Sequence, residues 1–256
     1  MEDLHSQDRP ISEVRSGDAE PISFLQRVIL VFTEPAQAFA NIAAHPAWIG
    51  AFLLVLLAGL VSTQATFPYL MEAQEQAFQQ SPNMTAEQTE MMLQRFNPER
   101  ETTQRIQMSL LAVVFGFLEL IVLAGLFTFG CSFLLGGEAT FKQVMAVVAY
   151  SLLVRVPRVL LLTPLILLKK SMSVSSSLAV LIPMDQWMTP LGVLLMQVDF
   201  FKIWGIVLLI TGLATLYRFS KGKVAVLVVG FFSLWVVIQV VLAIVASSIM
   251  GNLTGG

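Results

Sequence analysis

Three ionisable side chains stand inside long apolar runs: Glu119 near the middle of one, Arg155 and Arg158 near the middle of the next. A charge at the centre of a bilayer costs roughly 3 kcal/mol on insertion scales, so such groups face a bundle interior or a cavity and pair with one another. In an antiparallel helix pair, residues at equal depth are equidistant from the turn. The midpoint of Glu119 and Arg158 falls between Glu138 and Ala139, and that of Glu119 and Arg155 falls on Gly137. Both midpoints lie at the Gly136-Gly137-Glu138 connection, and the two arginines, three apart, share a helix face. A buried polar cluster of Glu119 with Arg155, Arg158 or both is therefore expected. Such a cluster either fixes helix register or lines a polar cavity for a lipid headgroup, an anion or a proton; snorkelling of the arginines or a misplaced span is the remaining alternative. Pro157 and Pro164 are expected to kink the same helix and free backbone carbonyls.

The elements that must position these groups are read from hydropathy. Five apolar runs, at about 47–67, 108–135, 144–168, 200–217 and 224–247, each have room to cross a bilayer. A helix rises about 1.5 Å per residue and the hydrocarbon core is about 30 Å thick, so roughly 20 apolar residues suffice. The runs are apolar all round, whereas a soluble helix is polar on one face. The composition agrees: 56% of residues are hydrophobic, 12% are charged and the mean hydropathy is +0.76. The expected fold is all-α, a polytopic five-span membrane protein.

Composition also excludes functions. A net charge of -2 with no basic face argues against nucleic acid as a partner. One cysteine, Cys131, and two histidines, His5 and His45, leave no disulfide and no thiol or His-rich metal centre. No HExxH, Walker loop or GxSxG is present, so neither an enzymatic activity nor a cofactor is expected. The start, MEDLHSQDRP, lacks the pattern of a cleaved signal peptide, and the first span is expected to serve as the insertion signal.

Outside the spans, residues 1–20 carry Glu2, Asp3, Asp8, Glu13, Asp18 and Glu20 with little apolar content, the pattern of a disordered acidic tail. Residues 21–46 hold two short amphipathic stretches: Phe24, Leu25, Val28, Ile29 and Phe32 follow helical spacing, and Pro35 suits the first turn of a helix displaying Phe39, Ile42 and Ala43. They either lie in the membrane interface or pack on the bundle. The spans and their connections make a membrane domain over 47–248, with a short tail at 249–256. Residues 68–107 form an acidic insert. Ser81-Pro82-Asn83 breaks one helical stretch, Thr85-Ala86-Glu87-Gln88 has the form of a capping box, and Asn97-Pro98-Glu99 starts the second membrane helix, which projects beyond the bilayer. The run LAVLIPMDQWMTPLGVLLMQ at 178–197, interrupted by Pro183, Asp185 and Pro190, reads as a re-entrant or interfacial segment. Asp199 and Lys202 mark where the fourth span enters the membrane.

Charge sets the expected orientation. Arg218, Lys221 and Lys223 form the tightest basic cluster, in the shortest loop, which places that loop and the N-terminus in the cytoplasm and the C-terminus outside.

The run GGEATFKQVMAVVAYSLLVRVPRVLLLTPLILL at 136–168 resembles the Yip-one domain family of Rab/Ypt-interacting membrane proteins, in its bacterial form. Phe32-Thr33-Glu34-Pro35 with Phe39, Pro46-Ala47-Trp48, DFFKIWGIVLLITGL at 199–213 and SKGKVAV at 220–226 extend the likeness over about residues 25–248. The resemblance implies five spans, a cytoplasmic N-terminus, no catalytic residues, and association with membrane lipids, other membrane proteins or further copies of the chain. A Rab-type GTPase is implied as a partner only for a eukaryotic source; in a bacterium the location is the inner membrane. The expected role is non-enzymatic organisation of membrane proteins or lipids. The alternative is a transporter or channel component working through Glu119, Arg155 and Arg158.

Overall fold

The computed structural model describes residues 22–79 and 100–254. Among them the chain forms nine α-helices, with no strand beyond an isolated bridge between Ser177 and Asp199. Five helical stretches are long and apolar enough to cross a membrane: Ile49–Gln76, Glu101–Leu134, Phe141–Lys169, Phe200–Tyr217 and Lys221–Ala246. The fold is thus an all-α, five-span bundle. Its outer faces present Leu57, Val61, Phe115, Val122, Trp235 and Leu242, each more than half exposed. In water that surface would aggregate, but in hydrocarbon it matches its surroundings. The acidic tail, the break at Ser81-Pro82-Asn83, the capping box at Thr85 and the start at Asn97-Pro98-Glu99 lie outside the described residues.

Helix α1 (Phe24–Thr33) starts in a capping box: Ser23 Oγ accepts from the Gln26 amide at 3.3 Å while Gln26 Oε1 accepts from the Ser23 amide at 2.9 Å. Helix α2 (Pro35–Ala44) begins on its proline. Of the two placements open for this region, α2 packs on the bundle, with Ala38, Phe39 and Ile42 wholly buried. Its last carbonyls are also taken up, Ala43 O by Gln143 Nε2 at 2.9 Å and the C-cap His45 O by Arg27 Nη1 at 3.0 Å. Helix α1 buries Arg27 and Val31 and leaves Leu25 and Ile29 exposed, an outer face suited to the membrane interface.

Helix α3 (Ile49–Gln79) does not stop at Pro68. A mid-helix proline has no N–H for the carbonyl four residues back. That carbonyl, Gln64 O, accepts from Arg105 Nη1 at 2.9 Å instead, and the Arg105 guanidinium lies 4.3 Å over the Phe67 ring. Arg105 belongs to α4 (Glu101–Thr128), which runs into a π-helical turn, Phe129–Leu134, and leaves the membrane through Gly136 at φ +71°, a conformation that favours glycine.

The third span is broken. Helix α5 (Phe141–Ser151), opened by a Thr140–Gln143 capping box, passes through one 3-10 turn at Leu152–Val154 into α6 (Arg155–Lys169). Pro157 explains the break, since it offers no N–H to Leu153 O and its ring crowds that carbonyl. The distortion therefore precedes the proline by one turn, whereas α6 continues through Pro164.

The 178–197 stretch forms 3-10 turns at Leu178–Leu181 and Met184–Gln186 and a short helix, α7 (Pro190–Gln197), none long enough to span. The Leu178 amide donates to Val198 O at 3.0 Å, so the segment returns to where it left. A stretch that does not span and whose ends meet suits either expected form, re-entrant or interfacial. It is held between α6 and α8 (Phe200–Tyr217), with α7 against α9 (Lys221–Thr254).

Helix α8 is the hub, touching α2, α5 and α9. Its approach to α2 and α5 depends on Gly212, where an added Cβ would sit 2.6 Å from Val147 Cγ1 and 2.9 Å from the Phe39 ring, both buried. Gly212→Leu is expected to destabilise the bundle by about 2 kcal/mol through overpacking, read as an earlier unfolding midpoint in mixed micelles.

Candidate functional site

The structure brings Glu119 together with Arg155. Arg155 Nη1 donates to Glu119 Oε2 at 2.8 Å and Nη2 donates to Oε1, a two-point match of guanidinium to carboxylate. Depth counting from Gly137 anticipates this pair. The burial differs from expectation: the side chains are 43% and 38% exposed, on the flank of the bundle and not in its interior. Leu118 and Val122 beside Glu119 are at least half exposed as well. On that flank a bidentate pair is the arrangement that leaves no net charge against hydrocarbon, and it ties α4 to α6.

Arg158 does not join them. Three residues further along α6, it turns toward Asp199, with Arg158 Nη2 3.9 Å from Asp199 Oδ2, beyond hydrogen-bond reach. Asp199 is 1% exposed and its oxygens are already used. Oδ1 accepts from the Lys202 amide at 3.0 Å, which makes Asp199 the N-cap of α8, and Oδ2 accepts from Ser176 Oγ. Arg158 Nε is buried with no hydrogen-bond partner among the described residues.

These groups line a cavity of about 360 Å³ between α3, α6, the start of α8 and the 171–198 connection. Ser62, Thr163, Ser175 and Ser177 supply hydroxyls, with Ser62 Oγ and Thr163 Oγ1 2.6 Å apart and Ser175 Oγ and Ser177 Oγ 2.8 Å apart. Leu162, Ile166, Val174, Trp187 and Met196 supply an apolar wall. Lys202 reaches the rim, its Nζ donating to Met196 O at 3.1 Å and Gln197 Oε1 at 3.0 Å. Irregular backbone is tolerated at membrane depth only where protein or a cavity covers it, and Trp187 and Met196 of the 178–197 segment line this cavity. Among the described residues no group of three or more His, Cys, Asp and Glu is placed to hold a metal ion.

The basic loop is used structurally. Arg218 ends α8 in the left-handed conformation, at φ 55°, and Lys223 Nζ donates to Leu135 O at 3.2 Å while lying 4.2 Å over the Phe219 ring. Lys223 thereby serves the carbonyl end of the second span, where a cation is favoured. Lys221 opens α9. None of the three lies on the cavity.

A family model described as the Yip1 domain matches residues 29–246. The chain belongs to the Yip1 domain family. The match runs from the second half of α1 through most of α9 and takes in both the Glu119–Arg155 pair and the Arg158–Asp199 cavity. No curated protein and no solved structure matches. The Yip1 family is one of non-catalytic integral membrane proteins.

Asp199, the residue that organises the cavity, is the one that sequence reasoning assigns merely to the membrane boundary. A signal for more was present. Asp199 opens an apolar run directly after the interrupted 178–197 segment, and an N-cap carboxylate at that position must sit where the segment returns.

Proposed function

We propose that this Yip1-family protein is a non-enzymatic organiser of membrane lipids or membrane proteins. The cavity beside Arg158 carries this reading. Among the described residues its one carboxylate, Asp199, is committed to a helix cap and a serine hydroxyl, so it is not a free base. What remains is a cation, hydroxyls and an apolar wall, which suit holding part of an amphiphile more than transforming a substrate. The likeness to the bacterial form of the family supports a place in a bacterial inner membrane, and the Arg218, Lys221 and Lys223 loop supports a cytoplasmic N-terminus and an outer C-terminus. A Rab-type GTPase would enter as a partner only in a eukaryotic cell.

Transport is the second reading, favoured by one observation: the third span breaks at Leu152–Val154, immediately before the two arginines. Proteoliposomes separate the two. The organising role expects purified protein to retain lipid or a partner and to carry no ion or solute flux. A flux abolished by Arg158→Gln would contradict it.

A further inference from the structure

We propose that the Arg158 cavity is a binding site for a phosphate group, with the headgroup of an anionic phospholipid as its occupant. The inference deepens the organising role and rests on it.

Three observations converge. First, Arg158 is under-satisfied among the described residues: its Nε is buried without a partner there, the nearest described carboxylate oxygen lies at 3.9 Å, and the side chain is 42% exposed, so that its outer nitrogens can be reached by a ligand. A guanidinium has five donors in a planar fork that matches phosphate oxygens two at a time. Second, the local charge balance is positive. Asp199 offsets one cation, and its lone pairs are drawn away by the α8 amide and by Ser176, while Arg158 and Lys202 both border the cavity. Third, the remaining wall is divided. The Ser62–Thr163 and Ser175–Ser177 hydroxyl pairs each leave one hydrogen to donate to further phosphate oxygens, and Leu162, Ile166 and Trp187 lie where glycerol and the first acyl carbons would pack. A carboxylate or a metal cation would fit less well. The former offers fewer oxygens to this spread of donors, and the latter meets a cavity whose one anionic group among the described residues is already engaged.

A phosphate group could come from a lipid or from solution, and the test distinguishes the two. The full-length protein is purified in neutral detergent and titrated with a short-chain phosphatidic acid, its phosphatidylcholine counterpart and inorganic phosphate, with adducts read by native mass spectrometry. The expected result is saturable binding of phosphatidic acid, weakened about tenfold or more by Arg158→Gln, which removes a charge-assisted contact. Lys202→Gln, at an exposed position, is expected to weaken it several-fold, which keeps the test valid should the first variant fold poorly. Arg158-dependent binding of inorganic phosphate with no preference for the lipid would retain the phosphate site and overturn the lipid as its occupant. Binding indifferent to both substitutions would overturn the site. Failure of the organising role shows differently, as Arg158-dependent flux in proteoliposomes with the adducts intact.

Discussion

Arg155→Ala is expected to lower the stability of the folded bundle by about 3 kcal/mol, with Glu119→Gln costing somewhat less and the double variant costing less than the sum of the two. Each single change leaves one charge on a flank that, between Leu118 and Val122, faces hydrocarbon. An unpaired charge at such depth costs roughly 3 kcal/mol on insertion scales, and breaking a desolvated pair by removing one partner carries a penalty of similar size. The double variant has no charge left to strand. Reversible unfolding in mixed micelles, run as a double-mutant cycle, measures the coupling. A coupling energy near zero would mean that the pair is incidental to how α4 and α6 hold together.

The second large effect falls on Asp199. Its carboxylate caps α8, receives Ser176 from the 171–198 connection and faces Arg158, so three elements meet at one nearly inaccessible group. Asp199→Ala is expected to cost about 3 kcal/mol, of which the cap alone accounts for about 1 kcal/mol, the remainder coming from the lost Ser176 bond and an unopposed Arg158. Asp199→Asn keeps a capping oxygen and removes the charge. It should recover the cap and leave Arg158 unopposed, an intermediate loss. Protease susceptibility of the 171–198 connection reads the same change locally, since the Leu178–Val198 hydrogen bond and the Ser177–Asp199 bridge lie beside the substituted residue. Equal stability of the alanine and asparagine variants would show that the charge, and not the cap, is what Asp199 contributes.

The contrast between these two charged groups shows what a sequence can carry. The five spans are legible because helices that face lipid must be apolar all round, a pattern that survives any arrangement of the helices. The Glu119–Arg155 pair is legible because its helices are joined by a tight connection around Gly137, so equal distance from the turn means equal depth. Arg158 and Asp199 are joined by no such turn. The chain between them passes the end of α6, two 3-10 turns and α7, and irregular backbone keeps no count of depth. Depth counting about the Gly136-Gly137-Glu138 connection fits Arg158 to Glu119 as well as it fits Arg155, and the partner across the bundle leaves no trace in the spacing. The sequence leaves open whether α2 lies on the membrane or against the bundle because Phe39, Ile42 and Ala43 make the same stripe for either surface. Gly212 decides it, but only next to Val147, which is far away in sequence. Pro157 signals a break, and local chemistry places it at Leu152–Val154, one turn earlier than the residue that causes it.

The proposed role requires a cavity at Arg158 and Asp199 that is reachable by water and separate from the Glu119–Arg155 pair on the flank of the bundle. Cysteine accessibility tests this most directly. In a Cys131→Ser background, single cysteines at Val159, Leu162 and Ser175 line the cavity, those at Leu118 and Val122 lie on the flank, and Lys170 serves as the exposed control. With a water-soluble thiol reagent applied to intact membranes, the cavity positions and the control should label and the flank positions should not. Silence at Val159, Leu162 and Ser175 with Lys170 labelled, or labelling along Leu118 and Val122, would contradict it.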